Sequence, residues 1–453
     1  MISKILVANR GEIALRVIRT AREMGIKTVA VFSEVDRNSL HTMLAHESVC
    51  IGPAKASESY LSIPNIISAA QITKADAIHP GYGFLAENPR FPEICESEGI
   101  TFIGPQASLI SLMGDKNAAR LAMKKARLPV IPGSNDVIVD LPEAKSIAKK
   151  IGYPVILKAA SGGGGRGMRI VRSPNQMDEQ LSIAQYEAKA AFGDPSLYME
   201  KYFEDARHIE IQVIGDTKGH VIALSERECS VQRKHQKVLE ETPSPAIDEK
   251  LRKKMIKATQ DAAQAIGYQS LGTFEFLVDS EKRFYFMEAN TRVQVEHPIT
   301  EMVYGIDLVK EQIKIAAGEK LSLPHDLQMN GHSIECRINA EDPDTFIPSA
   351  GKIEFLVLPG GQGIRVDTAA YKGWTIPPDY DSLLAKIVAR APSRKEAIRK
   401  MQTALEMTTI VGIKTNIPLH LNVLSNADFK KGHYTIQFLE KYLLRKNLKS
   451  KKK

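Results

Sequence analysis

The sequence predicts a mixed α/β protein of several domains, in which a doubly wound parallel sheet comes first. Three observations predict it: strand and helix patterns alternate near the N-terminus, a glycine-rich loop later joins two apolar strands, and longer β segments dominate the second half. The 453 residues allow roughly two to four domains. Hydrophobic residues make up 43% and charged residues 25%, which excludes collagen-like and wholly disordered chains.

The patterns of charge, cysteine and hydropathy argue against several other classes of protein. The net charge is +8, but the last thirteen residues hold seven Lys or Arg and no acid, so the preceding body is close to neutral. We expect this basic tail to be solvated, because no aromatic residue interleaves its final segment KNLKSKKK. The four cysteines lie far apart without C-x-x-C, so neither a disulfide framework nor a zinc site is predicted. No signal peptide or membrane-spanning run is recognised, so we expect a cytoplasmic protein without a nucleic-acid or membrane partner.

The first unit alternates strands with helices in the manner of a parallel sheet. Lys4–Ala8 and Lys27–Phe32 are predicted strands, and Glu12–Met24 between them has the apolar spacing of a helix. The pattern continues to strands at Ala75–Ile78 and Thr101–Ile103. The first strand–helix turn carries one glycine rather than G-x-G-x-x-G, so dinucleotide binding is not predicted.

Several smaller units are predicted after this sheet. A helical stretch over Ser111–Ala126 leads to LPVIPGS, where we place a boundary, and a small α/β unit follows as far as Tyr202. Helices are predicted near Lys250–Ile266 and Asp307–Ala317, and a β-rich region begins at Gly331. The predicted domains are 1–112 (N-terminal), 113–130 (linker helix), 131–202 (flap), 203–330 (catalytic core), 331–446 (C-terminal) and 447–453 (basic tail).

The strongest local signal is VILKAASGGGGRGMRIV at Val155–Val171. Consecutive glycines let backbone N–H groups approach phosphate oxygens, because no side chain blocks them. The loop lacks G-K-[ST] and is followed by the strand-like Met168–Val171, so it is not a Walker A loop. A linker is the alternative, but the Lys and Arg around these glycines and the apolar strands on both sides favour a nucleotide-covering flap.

An acidic hairpin is predicted from Thr273–Val278 and Phe284–Glu288, which are alternating segments around a short polar turn. If the turn centres on Glu281 and Lys282, Glu275 lies opposite Glu288, and Asn290 shares their face. Two opposed carboxylates repel each other unless a cation lies between them, and oxygen donors favour Mg²⁺. A solvent-facing pair is the alternative.

Further polar clusters surround this hairpin in the sequence. The alternation and the proline predict that residues 291–298 are extended, with Arg292, Gln294 and Glu296 on one face, able to bind a small oxyanion and accept its proton. Arg337 lies in a later segment, Ile334–Arg337, in which polar and apolar residues alternate. Arg227–Lys237 is predicted to be a basic, anion-binding loop, and the loop of residues 79–84 follows a strand where open α/β sheets bind ligands.

Together these motifs resemble the biotin carboxylase family of the ATP-grasp superfamily. The segments ANRGEIA, HPGYGFLAEN, GDK, GGGGRGM, ECSVQRKHQK, FEF, EANTRVQVEHP, ECRINAEDP and PPDYDS occur in the family's order, from residue 1 to about 445. The resemblance implies an ATP-grasp architecture with an N-terminal doubly wound sheet, a small flap domain and a mixed α+β C-terminal domain. It also implies a ligase that uses MgATP and bicarbonate to form carboxyphosphate, and then carboxylates biotin carried by another protein.

The resemblance carries site roles onto particular residues. The implied ATP contacts are Lys116, Lys158, Gly163, Gly164, Gly165, Gly167, Met168, Glu200, Lys201, Phe203, His208, Gln232, His235, Leu277 and Ile436. The implied ligands of Mg²⁺ or Mn²⁺ are Glu275, Glu288 and Asn290. The implied bicarbonate and biotin contacts are Lys237, Arg292, Gln294, Val295, Arg337 and Tyr82. Among the catalytic residues Glu296, Arg292, Arg337 and Lys237, Glu296 is implied as the base that deprotonates bicarbonate, and Arg337 as the group that stabilises the biotin enolate.

The resemblance also implies partners. The chain has no M-K-M biotin-attachment motif, so we expect the biotin carboxyl carrier protein and the carboxyltransferase subunits to be separate chains. Acetyl-CoA carboxylase, in fatty acid synthesis, is the expected host complex; a propionyl-CoA or pyruvate carboxylase is the alternative. A homodimer is expected because Arg19, Glu23 and Arg365 are retained, although Gln362 replaces an aromatic residue of the family's dimer interface.

Two other interpretations remain. Another ATP-grasp ligase, of the carbamoyl-phosphate or purine type, would share the glycine flap and metal carboxylates but need not keep Arg292, Gln294 and Glu296 together with Arg337. A non-catalytic nucleotide-sensing scaffold would be expected to lack at least one of the metal carboxylates or Lys237, and all are present.

Overall fold

The computed structural model describes residues 2–134, 136–160, 168–324 and 327–450, with the side chains of 445–450 outside that description. The two largest sheets have five and eight strands. Among the described helices, none has the length and apolarity needed to cross a membrane. All four cysteines are free, and three of them are buried.

The N-terminal unit is a parallel sheet with helices on both faces. Its elements are β1 (Lys4–Val7), α1 (Gly11–Glu23), β2 (Lys27–Phe32), α2 (Leu40–Leu44), β3 (Glu47–Cys50), α3 (Ile63–Thr73), β4 (Ala77–His79), α4 (Arg90–Ser97) and β5 (Thr101–Phe102). The strand order is β3-β2-β1-β4-β5, all parallel. Ile5 and Val7 pack into one apolar core and Leu6 into another, because successive side chains of a strand point to opposite faces. The doubly wound prediction is confirmed.

The predicted helix over Ser111–Ala126 is interrupted. Two helices occur there, α5 (Ala107–Gly114) and α6 (Lys116–Lys125). Asp115 separates them with an extended backbone, and its carboxylate accepts hydrogen bonds from the N–H groups of Asn117 and Ala118, both at 2.9 Å. This is an N-cap, which starts a new helix and makes Lys116 its first residue.

The small α/β unit that follows contains a three-stranded antiparallel sheet. Its elements are α7 (Leu141–Ile151), β6 (Val155–Ala159), β7 (Arg169–Val171), α8 (Met177–Phe192) and β8 (Leu197–Lys201). The strand order is β7-β6-β8, so the strand predicted after the glycine loop is present as β7. Apolar residues of both helices pack on one face of this sheet.

The rest of the chain forms the eight-stranded sheet, its covering helices and two small two-stranded sheets. Its first elements are β9 (Arg207–Gly215), β10 (Val221–Arg233), β11 (Gln236–Thr242), α9 (Glu249–Ala265), β12 (Ser270–Val278), β13 (Phe284–Asn290), α10 (His297–Tyr304) and α11 (Leu308–Ala316). The C-terminal elements are β14 (His332–Asn339), β15 (Gly351–Lys352), β16 (Phe355–Val357), β17 (Ile364–Thr368), β18 (Thr375–Ile376), β19 (Leu383–Ala391), α12 (Arg394–Glu406), β20 (Thr409–Val411), α13 (Ile417–Ser425), α14 (Ala427–Lys431) and α15 (Phe438–Ser450). The two small sheets are β15-β18 and β16-β20.

The eight-stranded sheet is antiparallel throughout, in the order β13-β12-β9-β10-β11-β14-β19-β17. It runs continuously across residue 330, where the sequence predicts a domain boundary. In β9, Ile209 and Ile211 pack with α9 in an apolar core, while His208 and Glu210 alternate with them. The polar side chains therefore share the opposite face, which positions the candidate site.

The basic C-terminal segment has a helical backbone as far as Ser450. The backbone of α15 is helical through Ser450, so the boundary predicted at 447 falls inside a helix, and residues 451–453 lie outside the described part of the chain. The spacing of Phe438, Leu439, Tyr442 and Leu443, which pack against the C-terminal core, extends the helical pattern into the basic residues.

Candidate active site

The strands β10 and β11 form a hairpin where the sequence predicts a basic loop over Arg227–Lys237. That prediction is wrong, because only Lys234 and His235 form the turn, with φ angles of 47° and 65°. The polar residues of β10 are paired inside the protein: Arg227 is fully buried, and its Nε donates a hydrogen bond to Glu210 at 2.6 Å. The segment is thus a polar face of the sheet, with an exposed His235 at its tip.

The acidic hairpin has the predicted register at its key pair. Glu275 on β12 lies directly opposite Glu288 on β13, and the pairing then shifts so that Phe276 faces Phe286. The Nδ2 atom of Asn290 donates a hydrogen bond to Glu275 at 2.8 Å. Burial raises the pKa of Glu288, and the neighbouring charge of Glu275 raises it further. A buried and a half-buried carboxylate that repel each other, beside an amide, fit a divalent cation that prefers oxygen donors.

Residues 291–296 form a turn rather than the predicted extended segment. Pro298 lies in the first turn of α10, and Glu296 is the N-cap of that helix, because proline is well tolerated at a helix start. The turn still brings the expected side chains together. Arg292 donates to Gln294 Oε1 at 3.1 Å, and Gln294 donates to Glu275 Oε1 at 3.2 Å. We call residues 291–296 the anion turn.

Lys237 lies at the centre of the polar face. Its Nζ contacts three carboxylates, Glu296 at 2.6 Å, Glu210 at 2.7 Å and Glu275 at 3.0 Å. Burial alone would lower the pKa of Lys237, but these carboxylates outweigh it and hold the pKa well above its usual value. The ammonium is therefore fully charged, beside the anion turn.

Glu296 lies between two cations. Besides Lys237, it contacts Arg337, whose NH2 is 3.0 Å away and whose Nε donates to Glu240 at 2.6 Å. Burial would raise the pKa of Glu296, but Lys237 and Arg337 lower it well below its usual range. Burial raises the pKa of Glu240 to about 7, against the opposing effect of Arg337. Glu296 is thus an ionised carboxylate at neutral pH.

His208 connects this cluster to the metal carboxylates. Its Nε2 is 2.6 Å from Glu275, and its Nδ1 is 2.6 Å from the amide of Gln232. Burial would lower the pKa of His208, but Glu275 raises it overall. The pair therefore favours a protonated imidazole and an ionised carboxylate.

Four of the expected ATP contacts lie where the small α/β unit meets the eight-stranded sheet, and we call them the hinge: Lys158, Glu200, Lys201 and Phe203. Lys158 on β6 forms an ion pair with Glu200 on β8. The backbone N–H of Lys201 donates to Pro132 O at 2.7 Å, and Phe203 stacks on Tyr285 with ring centroids 5.1 Å apart.

The other expected nucleotide residues surround this hinge. Lys116 starts α6, and its charge acts on the metal carboxylate Glu288. Leu277 pairs with His208 across β12 and β9, and the N–H of Ile436 donates to Ala206 O at 3.0 Å. Met168 is half-buried next to β7. The expected phosphate-contacting glycines lie outside the described residues: Gly163, Gly164, Gly165 and Gly167.

The expected biotin contact Tyr82 lies in the loop after β4. Its hydroxyl donates a hydrogen bond to Glu12 at the start of α1. Tyr82 also lines a cavity between the N-terminal and C-terminal units, together with Arg10, Tyr380 and Asp381. The loop thus places an aromatic ring at the edge of an open cavity.

Three functional neighbours were not predicted from the sequence. Glu210, Arg227 and Glu240 are fully buried and pair with Lys237 and Arg337 or with each other. Their signal is the alternation of polar and apolar residues, as in His208–Gln212 (HIEIQ), which identifies a strand with one buried polar face.

The fold and the site together identify the class of protein. A small glycine-loop unit faces a sheet that carries opposed carboxylates and lysines, which is the arrangement of an ATP-grasp ligase. Three family descriptions match along the chain: "Biotin carboxylase, N-terminal domain" over residues 1–110, "Carbamoyl-phosphate synthase L chain, ATP binding domain" over 115–324, and "Biotin carboxylase C-terminal domain" over 335–441.

Individual relatives agree with these families. The chain is 55% identical to the biotin carboxylase of Haemophilus influenzae over 98% of this chain and 99% of that one. It is 52% identical to a pyruvate carboxylase subunit of Methanothermobacter thermautotrophicus over 98% and 90%. The crystal structure of a Campylobacter jejuni biotin carboxylase–ATP complex superposes with a TM-score of 0.93 at 50% identity, covering 97% and 99%. The chain belongs to the biotin carboxylase family.

Proposed function

We propose that this chain uses ATP and bicarbonate to carboxylate biotin on a carrier protein. The observation that carries the proposal is the position of Glu296, an ionised carboxylate between Lys237 and Arg337 at the end of the anion turn. A structure of the biotin carboxylase domain of the Hydrogenobacter thermophilus 2-oxoglutarate carboxylase, 50% identical to this chain, is a dimer bound to MgADP and bicarbonate.

The first step is the activation of bicarbonate. We assign Arg292, Gln294 and the backbone of Val295 to hold the anion, with Lys237 beside them. Glu296 accepts the bicarbonate proton, and the resulting oxyanion attacks the γ-phosphorus of ATP, so that ADP leaves and carboxyphosphate forms. Lys237 is suited to stabilise the added negative charge, because its pKa keeps it charged throughout.

The nucleotide and metal assignments rest on the hinge and the acidic hairpin. Lys116 and Lys158 are assigned to the phosphates, and Glu200, Lys201 and Phe203 to the adenine edge. Glu275, Glu288 and Asn290 are assigned to hold Mg²⁺ or Mn²⁺. Such an ion, when bound, offsets phosphate charge and polarises the phosphorus centre. Before it binds, the charge of Glu275 is balanced by His208 and Lys237.

The second step transfers the carboxyl group from carboxyphosphate to N1′ of biotin: the bond between the carboxyl carbon and the phosphate oxygen breaks, the bond from that carbon to N1′ forms, and the released phosphate takes the N1′ proton. We assign Arg337 to the ureido oxygen of biotin. Its guanidinium reaches Glu296 from the C-terminal unit, and its raised pKa keeps it positively charged. Tyr82 is assigned to the biotin ring. Bicarbonate-dependent ADP release that rises on addition of free biotin tests the proposal, and a bicarbonate-dependent rate indifferent to biotin would favour another ATP-grasp ligase.

The final acceptor of the carboxyl group is a separate proposal. We propose acetyl-CoA, with the carrier and carboxyltransferase as separate subunits and a role in fatty acid synthesis. Pyruvate is the second candidate, because one relative at 52% identity is a subunit of pyruvate carboxylase. The test is to mix the chain with the purified carrier proteins of each complex and to measure which one becomes carboxylated.

The oligomeric state, the cellular location and the domain boundaries of the chain are further parts of this proposal. We propose a homodimer in the cytoplasm. Each chain is divided into domains at the sequence-based boundaries given above, except 447, which falls inside α15. The side chain of Arg19 on α1 is half-exposed and lies 3.7 Å from Asp367, and Arg365 is paired within the chain with Glu301 at 2.6 Å and Asp367 at 2.7 Å. Sedimentation of the parent chain and of Arg19→Glu tests the dimer, and an unchanged monomer in both would contradict it.

A further inference from the structure

We propose that Glu87 and Lys386 are positioning residues that hold the anion turn at its two ends, one from each neighbouring unit. The inference rests on the proposed function, because it assigns these two residues to the binding of bicarbonate by the turn. Neither residue belongs to the catalytic or nucleotide-binding set described above.

Glu87 holds the first end of the turn from the loop that follows β4. One carboxylate oxygen accepts from the backbone N–H of Thr291 at 3.1 Å, and the other accepts from Nε of Arg292 at 2.8 Å. The NH1 and NH2 groups of Arg292 remain directed to Gln294 and Asn290, both at 3.1 Å. Glu87 therefore fixes one edge of the guanidinium and leaves its other edge facing the site.

Lys386 holds the last end of the turn from β19 of the C-terminal unit. Its side chain is 0% exposed, and its Nζ donates to the carbonyl oxygen of Val295 at 2.8 Å. Its acidic neighbours are Glu12 at 3.1 Å and Asp367 at 4.0 Å. An ammonium placed wholly inside a protein needs such partners, because its desolvation costs far more than packing an apolar side chain of the same length.

The contacts of Glu87 and Lys386 fix the backbone of the anion turn. Residues 291–294 belong to no helix or strand, and the backbone hydrogen bond within the turn joins the His297 N–H to Gln294 O at 3.3 Å. The Thr291 N–H and the Val295 carbonyl instead make their contacts with Glu87 and Lys386. Glu87 and Lys386 supply a carboxylate at Thr291 and an ammonium at Val295, which fixes the direction of the peptide groups between them. Glu12 also accepts a hydrogen bond from Tyr82, so Lys386 connects the turn to the expected biotin contact.

The first test uses Glu87→Ala, a change at an exposed position that the fold tolerates. Loss of both contacts is expected to raise the KM for bicarbonate about tenfold, since small misplacements of a binding group have large kinetic effects. The KM for MgATP is expected to stay within about twofold, because the hinge does not contact Glu87. Glu87→Gln keeps an oxygen for the Thr291 N–H and should give a smaller rise. Glu96→Ala, on the exposed face of α4, is the matched control.

The second test uses Lys386→Met combined with Glu12→Gln, so that no buried acid is left without its cation. The same split is expected: a bicarbonate KM raised about tenfold and an MgATP KM within about twofold, in a chain with an unchanged circular dichroism spectrum. Lys386→Gln with Glu12→Gln retains a hydrogen-bond donor and should lie between this variant and the parent. Loss of folding in both Lys386 variants would overturn the positioning role of Lys386 and leave it a residue of stability alone.

The outcomes distinguish a failure of the positioning role from a failure of the proposed function. A bicarbonate KM within twofold of the parent in Glu87→Ala, or equal rises in both KM values, would overturn the positioning role. Absence of bicarbonate-dependent, biotin-stimulated ADP release in the parent chain would instead refute the proposed function, whatever the variants do.

Discussion

Replacement of Glu296 by glutamine removes the proposed base with the smallest change in shape. Glu296 is fully buried and contacts Lys237 at 2.6 Å and Arg337 at 3.0 Å. Its pKa lies well below the usual range, since the two cations outweigh the effect of burial, so the carboxylate is ionised at neutral pH and is not already occupied by the proton that bicarbonate gives up. A glutamine amide fills the same space but cannot accept that proton.

The expected loss can be estimated from the neighbouring contacts. Removal of a general base costs about 10²–10⁴-fold in rate, which corresponds to roughly 3–5 kcal/mol of transition-state stabilisation. Lys237 keeps Glu210 and Glu275 as partners, and Arg337 keeps Glu240, so neither cation is left unpaired. The loss of folding stability should therefore be below the roughly 3–5 kcal/mol of a broken buried ion pair.

The assay compares bicarbonate-dependent ADP release, in the presence of biotin, between the parent and Glu296→Gln. We expect a fall of at least about 100-fold in turnover with the dissociation constant for MgATP unchanged. Glu281→Gln, in the exposed turn of the acidic hairpin, is the control. Turnover within tenfold of the parent, in a correctly folded variant, would refute the role of Glu296.

Three further predictions test other parts of the site. Arg337→Ala is expected to abolish biotin carboxylation and leave MgATP binding intact, as equilibrium binding and product analysis can show. Lys158→Met should raise the KM for MgATP about tenfold, because it removes one charge assigned to the phosphates. Burial would raise the pKa of Glu241, but hydrogen bonds from His332 and Arg394 lower it to about 2. The stabilising effect of Glu241 is therefore fully present when the pH is above the ordinary pKa of a glutamate, and it is lost as the pH falls toward 2. Glu241→Gln should lower the free energy of unfolding by about 3 kcal/mol near neutral pH and by progressively less in acid, as measured by urea unfolding.

Each of these predictions has a result that contradicts it. Biotin carboxylation retained in Arg337→Ala would remove the arginine from the second step. An unchanged KM for MgATP in Lys158→Met would place the phosphates elsewhere. A stability gap for Glu241→Gln that does not narrow between pH 7 and pH 3 would mean that the carboxylate is not the group that titrates.

The parts of the fold with simple periodicity could be predicted from the sequence. The parallel N-terminal sheet follows from the alternation of apolar strands with helices along the chain. The pairing of Glu275 with Glu288 follows from the period-two alternation within each strand of the acidic hairpin. Local patterns also indicated the strand after the glycine loop, now β7.

The errors occur where distant partners decide the structure. Arg227–Lys237 is polar enough for a loop, yet Arg227 is buried in a strand because Glu210 neutralises it across the sheet. Residues 291–298 alternate like a strand, but Pro298 starts a helix and the turn is held from outside. The contacts of Glu87 and Lys386 join residues about 90–200 positions apart, a separation at which no local sequence pattern operates.

The most direct test of the central claim is ADP release from MgATP by the parent chain, with and without bicarbonate and with and without free biotin. We predict a rate that requires bicarbonate and rises with biotin, which is a poor substitute for the carrier-bound group but presents the same N1′ atom. A bicarbonate-dependent rate that does not respond to free biotin or to a biotinylated carrier would contradict the claim that this site carboxylates biotin.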